Sequence, residues 1–284
     1  MFNSLLVCIV ILFTQQATHS CRNRLLRCKY YFSGQHYPMK LIEHIKLAYR
    51  AYKYSTKDDR GGIAYLNATV QPGQTVFDIG AHKAGYLYCM LNRVGKAGKV
   101  YAFEPQQKLY RYIYNLKQQL NWGNVTVEHL ALSDTAGNTT LYIPQNNVST
   151  GSSPGATIVQ DKANTAMYAT EHVATDTLDA YCNKHTAAPA FLKIDVEGNE
   201  LRVLMGGIET LKKHKPNILV EIESRHVGEE KARETFRFLE GLGYNGYVLK
   251  GLERLPLADF SFENHQNVND KKNYCNNFVF EWLG

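Results

Sequence analysis

Two acidic residues mark the ends of two apolar runs early in the chain. Val76-Phe77-Asp78-Ile79-Gly80-Ala81-His82-Lys83-Ala84-Gly85 closes on an acid and a glycine-containing turn, and Val100-Tyr101-Ala102-Phe103 closes on Glu104, 26 residues after Asp78. A strand, a turn, a helix and a second strand ending in an acid make half of a nucleotide-binding sheet. The glycines decide which nucleotide. Gly80 and Gly85 have P-loop spacing, but Tyr86-Leu87 stand where a triphosphate site needs Lys and a hydroxyl. A dinucleotide turn needs a second glycine two positions after the first, so that the backbone closes on a pyrophosphate, and position 82 is His. What remains is a turn without phosphate chemistry, which suits S-adenosylmethionine. The ammonium of that cofactor suits Asp78, Gly80 leaves room for a ligand against the backbone, and Glu104 can accept from both ribose hydroxyls. Taken without Glu104, Asp78 and Gly80 also read as the cap of the following helix.

Phe191-Leu192-Lys193-Ile194-Asp195-Val196-Glu197-Gly198-Asn199-Glu200 repeats the design: an apolar strand, an acid at its end, a glycine and a helix. Open α/β sheets bind ligands at the carboxyl ends of strands near the switch in strand order, which predicts that Asp195 approaches Asp78 in space. Leu219-Val220-Glu221-Ile222-Glu223, followed by Ser224-Arg225-His226, ends a neighbouring strand with further titratable groups. Methyl transfer to a hydroxyl needs the oxygen held in line with the carbon–sulfur bond, worth on the order of 7–11 kcal/mol in favourable cases. It also needs a base for the hydroxyl proton, and Asp195, Glu197, Glu223, His82 and His226 are the candidates. Asp195 and Glu197 are expected to line the transfer site. Glu197 and Glu200 also suit a first helical turn, where acids compensate the dipole. Asp195, Glu197, Glu221 and Glu223 carry oxygens of the kind magnesium takes and could hold that ion, but no metal site is expected.

The elements that must position these groups follow from periodicity. Strands are predicted at Thr75 to Ile79, Val100 to Phe103, Val125 to His129, Phe191 to Ile194, Ile218 to Ile222, Gly246 to Leu249 and Phe278 to Trp282. Helical stripes lie between them: Leu109, Ile113, Leu116 and Leu120; Leu201, Leu204, Ile208 and Leu211; Ala232, Phe236, Leu239 and Leu242. This alternation predicts an α/β, Rossmann-like, doubly wound and mostly parallel sheet. Thr139 to Ile143 alternates like an extra strand. Pro144 to Gly155, rich in Asn, Ser, Thr, Gly and Pro, reads as a substrate lid or as disorder.

Five stretches together resemble the FkbM-type methyltransferases in order and spacing. They are Phe77-Asp78-Ile79-Gly80-Ala81, Tyr101-Ala102-Phe103-Glu104-Pro105, Ala131-Leu132-Ser133-Asp134, Thr177-Leu178-Asp179 and the run from Lys193 to Glu200, spanning about residues 70 to 223. The resemblance implies a class I fold with a seven-stranded sheet whose last strand is antiparallel, S-adenosyl-L-methionine as cofactor, and usually O-methylation of a hydroxyl. It implies cofactor contacts at Asp78, Gly80, Ala81, His82, Gly85, Glu104 and Ser133. His82 stands where the family often has Asn, and Ala84 where it usually has Gly. The acceptor, a small molecule or a glycan, is not legible: sugars, lipids and secondary metabolites all suit. A non-catalytic cofactor- or partner-binding module is the alternative function, and an NAD-dependent oxidoreductase is disfavoured by the missing glycine.

Composition sets the remaining bounds. With 284 residues and 44% hydrophobic content the chain can fill one large α/β core. Arg22, Arg24, Arg27 and Lys29 lie in an acid-free stretch before residue 39, leaving 28 of the 32 basic residues against 26 acids, too even for a nucleic-acid face. The expected organisation is an extension over 1–38, a helical segment over 39–73 and a methyltransferase domain over 74–284. The apolar run Leu5 to Phe13 suits a signal peptide that lacks the usual positive flank, and Met39 suits an alternative start. Cytoplasmic location is expected, with secretion the alternative if that run is functional. The six cysteines show no C-x-x-C spacing and read as reduced thiols.

Overall fold

The computed structural model describes residues 39–144, 155–158 and 168–282. Two compact units divide at 43/44, and of the first only 39–43, the opening of a helix, is described. The run Leu5 to Phe13 and residues 145–154 of the expected lid lie outside the described residues.

In chain order the elements are α1 (Met39–Lys53), a π-helical turn (Tyr54–Asp58), α2 (Arg60–Thr69), β1 (Thr75–Ile79), α3 (Gly85–Val94), β2 (Lys99–Phe103), α4 (Gln107–Leu120), β3 (Val125–Glu128), β4 (Ala131–Leu132), β5 (Gly137–Pro144), β6 (Tyr168–Asp176), α5 (Leu178–His185), β7 (Pro189–Ile194), α6 (Glu200–Met205), α7 (Ile208–His214), β8 (Asn217–Glu221), α8 (Ser224–Val227), α9 (Glu229–Gly241), β9 (Tyr244–Lys250), β10 (Glu253–Pro256), α10 (Phe262–His265) and β11 (Asn277–Trp282). The main sheet has the order β10-β9-β11-β8-β7-β1-β2-β3. β3, β2, β1, β7 and β8 run parallel, and β11 lies antiparallel between β8 and β9. These are the seven expected strands, the last antiparallel. β10 adds an eighth at the edge, where Pro256 costs no ladder bond.

The segment Thr139 to Ile143 is part of β5, which joins a separate small sheet of order β4-β6-β5. Its long partner β6 was not foreseen, because Val173 is the one residue buried in that strand.

Alternation along each strand divides the core between the two faces of the main sheet. Phe77, Phe103, Leu192, Ile194 and Val220 pack on one face with Leu204, Leu211, Phe236 and Leu239 from the helices. Val76, Val100, Phe191 and Leu219 pack on the other with Leu66, Leu87, Ile113 and Leu116. Capping chemistry ends the helices that flank the site. Thr177 Oγ1 accepts from the Ala180 amide at 3.1 Å at the start of α5, and Asn121 closes α4 in the left-handed conformation.

Candidate active site

The strand order turns between β1 and β7, with β2 beyond one and β8 beyond the other, so their carboxyl ends open on one edge. The Gly80 and Ala81 amides each donate to the Phe103 carbonyl at 3.0 Å, and the Asp195 amide donates to the Ile79 carbonyl at 3.0 Å. Three strand ends are thereby tied together. Gly80 has φ +86°, and a Cβ there would stand 1.9 Å from the Asp195 carbonyl oxygen. The bare Cα at position 80 therefore admits the neighbouring strand's backbone, a role the sequence reading did not assign to it. Gly85 opens α3 against Tyr54, whose ring would lie 2.2 Å from an added Cβ. Ala81 is buried in the core beneath the turn.

Glu104 follows β2 and is buried. Its Oε2 accepts from the His82 amide at 2.8 Å and its Oε1 from the Gln106 amide at 2.9 Å. Burial pushes the carboxyl up to about 8 against the pull of those two amides. Each oxygen keeps capacity for a further donor. His82, with φ +47°, turns a half-buried imidazole into the same region; burial and then Lys83 lower it to about 4, so it is neutral at pH 7. Its Nε2 has no hydrogen-bond partner among the described residues.

Asp78 is fully buried, and neither carboxylate oxygen has a hydrogen-bond partner among the described residues. Burial raises it to about 6; Lys193 and the Leu87 amide favour the charged form without closing a hydrogen bond, while Asp195 opposes it. The β1–β7 register places Lys193 beside Asp78. Lys193 Nζ donates to Asp195 Oδ2 at 2.7 Å and stands 5.1 Å from the centre of the Tyr86 ring. Burial disfavours this ammonium, but Asp195, Asp78 and Glu221 outweigh that cost and hold it above the usual lysine range. Lys193 was missed in the sequence, although a lysine inside an otherwise apolar strand is a legible signal.

A cavity of about 200 Å³ opens along this edge. Phe103, Pro105, Leu109, Leu130, Leu132 and Leu141 give it an apolar wall, and Gly80, His82, Glu104, Asp195, Glu197 and Asn199 a polar one. Of the expected cofactor residues, Gly80, His82 and Glu104 face the cavity. Asp78, Ala81, Gly85 and Ser133 do not line it and stand behind its walls. Ser133 Oγ lies 3.2 Å from Asp134 Oδ1 and 3.5 Å from Asn199 Nδ2, and its carbonyl oxygen would be 2.1 Å from a Cβ on Gly206.

Asp195 and Glu197 meet on the polar wall. Glu197 has φ +56°, its Oε1 accepts from the Gly155 amide at 3.1 Å, and its Oε2 lies 3.0 Å from His226 Nδ1. Burial, reinforced by Asp195, pushes Glu197 up to about 7. His226 Nε2 lies 3.5 Å from Glu223 Oε2, and Glu223, itself buried, accepts from Arg225 Nε and, at 2.7 Å, from Asn276 Nδ2. Glu200 instead turns back on the Gly198 amide at 2.8 Å, the first-turn role that its position allows. Among the described residues no group of three or more His, Cys, Asp or Glu side chains is arranged to hold a metal ion.

This sheet order, with acids after β2 and β7 lining one cleft and Asp78 buried in β1, defines the class I methyltransferase fold, whose methyl donor is S-adenosyl-L-methionine. The methyltransferase FkbM domain matches residues 78–246, and the chain belongs to that family. Similar solved structures include the FkbM methyltransferase of Methylobacillus flagellatus, at 15% identity and TM-score 0.45, covering 84% of this chain and 54% of that one. The chain thus spans about half the length of that protein. A SAM-dependent methyltransferase from Aquifex aeolicus (15% identity, TM-score 0.40, 81% and 92% covered) is also similar. So is Aeropyrum pernix fibrillarin with natively bound S-adenosyl-L-methionine (11%, TM-score 0.43, 83% and 74%). No curated protein matches the chain in sequence.

The residues present fit the family's cofactor. Glu104 offers two acceptor oxygens beside an apolar pocket that suits adenine, and His82 Nε2, without a hydrogen-bond partner among the described residues, leaves polar capacity on the cavity wall.

Proposed function

We propose that the chain O-methylates a hydroxyl of a sugar, glycan, lipid or secondary metabolite. When bound, the cofactor supplies an electrophilic methyl group on a sulfonium. Glu104 accepts from the ribose hydroxyls, and the wall from Phe103 to Leu141 takes the adenine and excludes water. Asp195, fixed by Lys193, and Glu197 line the acceptor side. The observation that carries this reading is that those two carboxylates line the same cavity as the apolar residues from Phe103 to Leu141. Glu197 is the stronger base candidate: with its carboxyl near 7, about half is ionised at neutral pH, which suits proton abstraction from a hydroxyl.

A small-molecule or glycan acceptor, rather than nucleic acid, is supported by the near balance of basic and acidic residues after position 38. A reducing, cytoplasmic setting is supported by Cys89, Cys182 and Cys275, which are free thiols. No helix among the described residues is long and apolar enough to cross a membrane.

Calorimetric titration with S-adenosylmethionine, S-adenosylhomocysteine and NAD tests the donor. Binding of both sulfur nucleotides and not NAD is expected, and binding of neither would sink the reading. Incubation with methyl-labelled cofactor and cell extract then shows which acceptor takes the label. Alkali-stable label on a hydroxyl oxygen is expected; label on nitrogen or carbon would refute O-methylation.

A further inference from the structure

We propose that His226 is a positioning residue for Glu197 and carries the acceptor's proton out of the site, held in one tautomer by Glu223. The proposal rests on the methyl-transfer reading above. The pair Glu197–His226 closes across two separate elements, the turn after β7 and the short helix α8, at 3.0 Å between Oε2 and Nδ1. On the far side of the ring Glu223 stands 3.5 Å from Nε2 and is itself fixed by Arg225 and Asn276. Both ring nitrogens therefore face carboxylates, but the two carboxylates differ. Glu223 is 3% exposed at its side chain and has its oxygens taken by donors, so it serves as a fixed acceptor. Glu197 lines the cavity, and so can receive a proton from a substrate.

An Nε2–H directed at Glu223 leaves Nδ1 free to accept the proton that Glu197 carries once it has taken it from the hydroxyl. As the acceptor oxygen bonds to the methyl carbon, the carbon–sulfur bond breaks and its electron pair stays on sulfur. The hydroxyl proton passes to Glu197 and then to Nδ1. The imidazolium so formed is stabilised by Glu197 and Glu223. Its side chain is 22% exposed and stands outside the cavity lining, whereas the exposure of Glu197, at 26%, belongs to a residue that faces the cavity, so His226 gives the proton a way to solvent when the cavity is filled. The other charged and titratable groups around the pair are Asp195 and Lys193 from β7 and its exit, Glu200 at the start of α6, Glu221 at the end of β8, Arg225 beside Glu223, and Tyr274. Lys193 is engaged by Asp195 and Arg225 by Glu223, so neither competes for the Glu197 oxygen that meets His226.

Two measurements on the full chain test this. In histidine-labelled protein without cofactor, 15N resonances follow His226 through its titration, and Glu197→Gln should lower its midpoint by about one pH unit. With methyl-labelled S-adenosylmethionine and the acceptor fraction of a cell extract, His226→Asn should cut the maximal rate about a hundredfold. Saturation by extract and cofactor affinity should stay as in the wild type, while the acidic limb of the pH–rate profile shifts. Added imidazole should restore part of the rate to His226→Gly. An unmoved midpoint in Glu197→Gln, or wild-type rate and pH profile in His226→Asn, would overturn the proposal. If the wild-type protein binds no cofactor in calorimetry, the methyl-transfer reading falls and the proton role with it. That failure is told apart because the NMR coupling is read without any cofactor.

Discussion

Glu104 carries a pH dependence that separates its proposed ribose contact from a merely structural role. Burial holds its carboxyl at about 8, so at pH 6 about one molecule in a hundred has it ionised, and at pH 9 about nine in ten. Ribose hydroxyls donate to the ionised form, so a ligand must first drive off the proton, at about 1.4 kcal/mol for each pH unit below 8. The affinity for a ribose-bearing ligand should therefore rise about ninetyfold from pH 6 to pH 9 and level off above. The informative ligand is 5′-methylthioadenosine, which keeps adenine and ribose but has no amino or carboxyl group to titrate. His82 stays neutral throughout, since its imidazole is held near 4, and Asp78, near 6, lies outside the cavity lining. Calorimetry at half-unit intervals in wild type and Glu104→Gln is the assay. The variant should bind weakly and with no slope. A wild-type Kd that changes less than about threefold over that range, or a variant that keeps the full slope, would refute the assignment of Glu104 to the ribose.

Gly80→Ala should destabilise the fold by roughly 3 kcal/mol or more, because the new Cβ meets the Asp195 carbonyl at 1.9 Å in a backbone with φ +86°; urea denaturation reads it, and a loss under about 1 kcal/mol would contradict the packing. Lys193→Met strips the shared counter-charge from Asp78 and Asp195 and should cost about 3–5 kcal/mol at pH 8, less at pH 5 where Asp78 is protonated; equal losses at both pH values would argue against the charge account. Asp78, Glu104, Glu197 and Glu200 are held at about 6, 8, 7 and 7, all above their unfolded values. Their contribution to apo stability is therefore complete below about pH 4 and is lost progressively as pH rises from about 4 to about 8, so the apo Tm should fall between pH 5 and 8.5, and a rising Tm over that interval would refute the set.

Much of the sheet was legible because its strands are apolar runs closed by acids. Thr75–Ile79 matches its predicted span, and the other six expected strands agree within a few residues at each end. β6 and β10 escaped for a common reason: each lies at a margin where one or no side chain is buried, so no alternation marks it. The acids of the site were visible as strand-end residues. Their relations were not, since the Asp78–Lys193 neighbourhood depends on β1 pairing with β7, two strands more than a hundred residues apart. The contact of His226 with Glu197 likewise depends on the turn after β8 folding back over the turn after β7. Gly80 was read as leaving room for a ligand, but the group that needs its bare Cα is a carbonyl that sequence cannot place.

That carbonyl has a wider consequence. With Asp195 seated against Gly80 and its amide on Ile79, the turn after β1 and the turn after β7 are held together. Neither can drift to suit a new acceptor without spoiling the other. Outside that pair of turns the cavity is bordered by the small sheet, through Leu141 of β5, and by Ile158. A substitution at Leu141 should therefore reshape the cavity while the Gly80–Asp195 contact stays as it is.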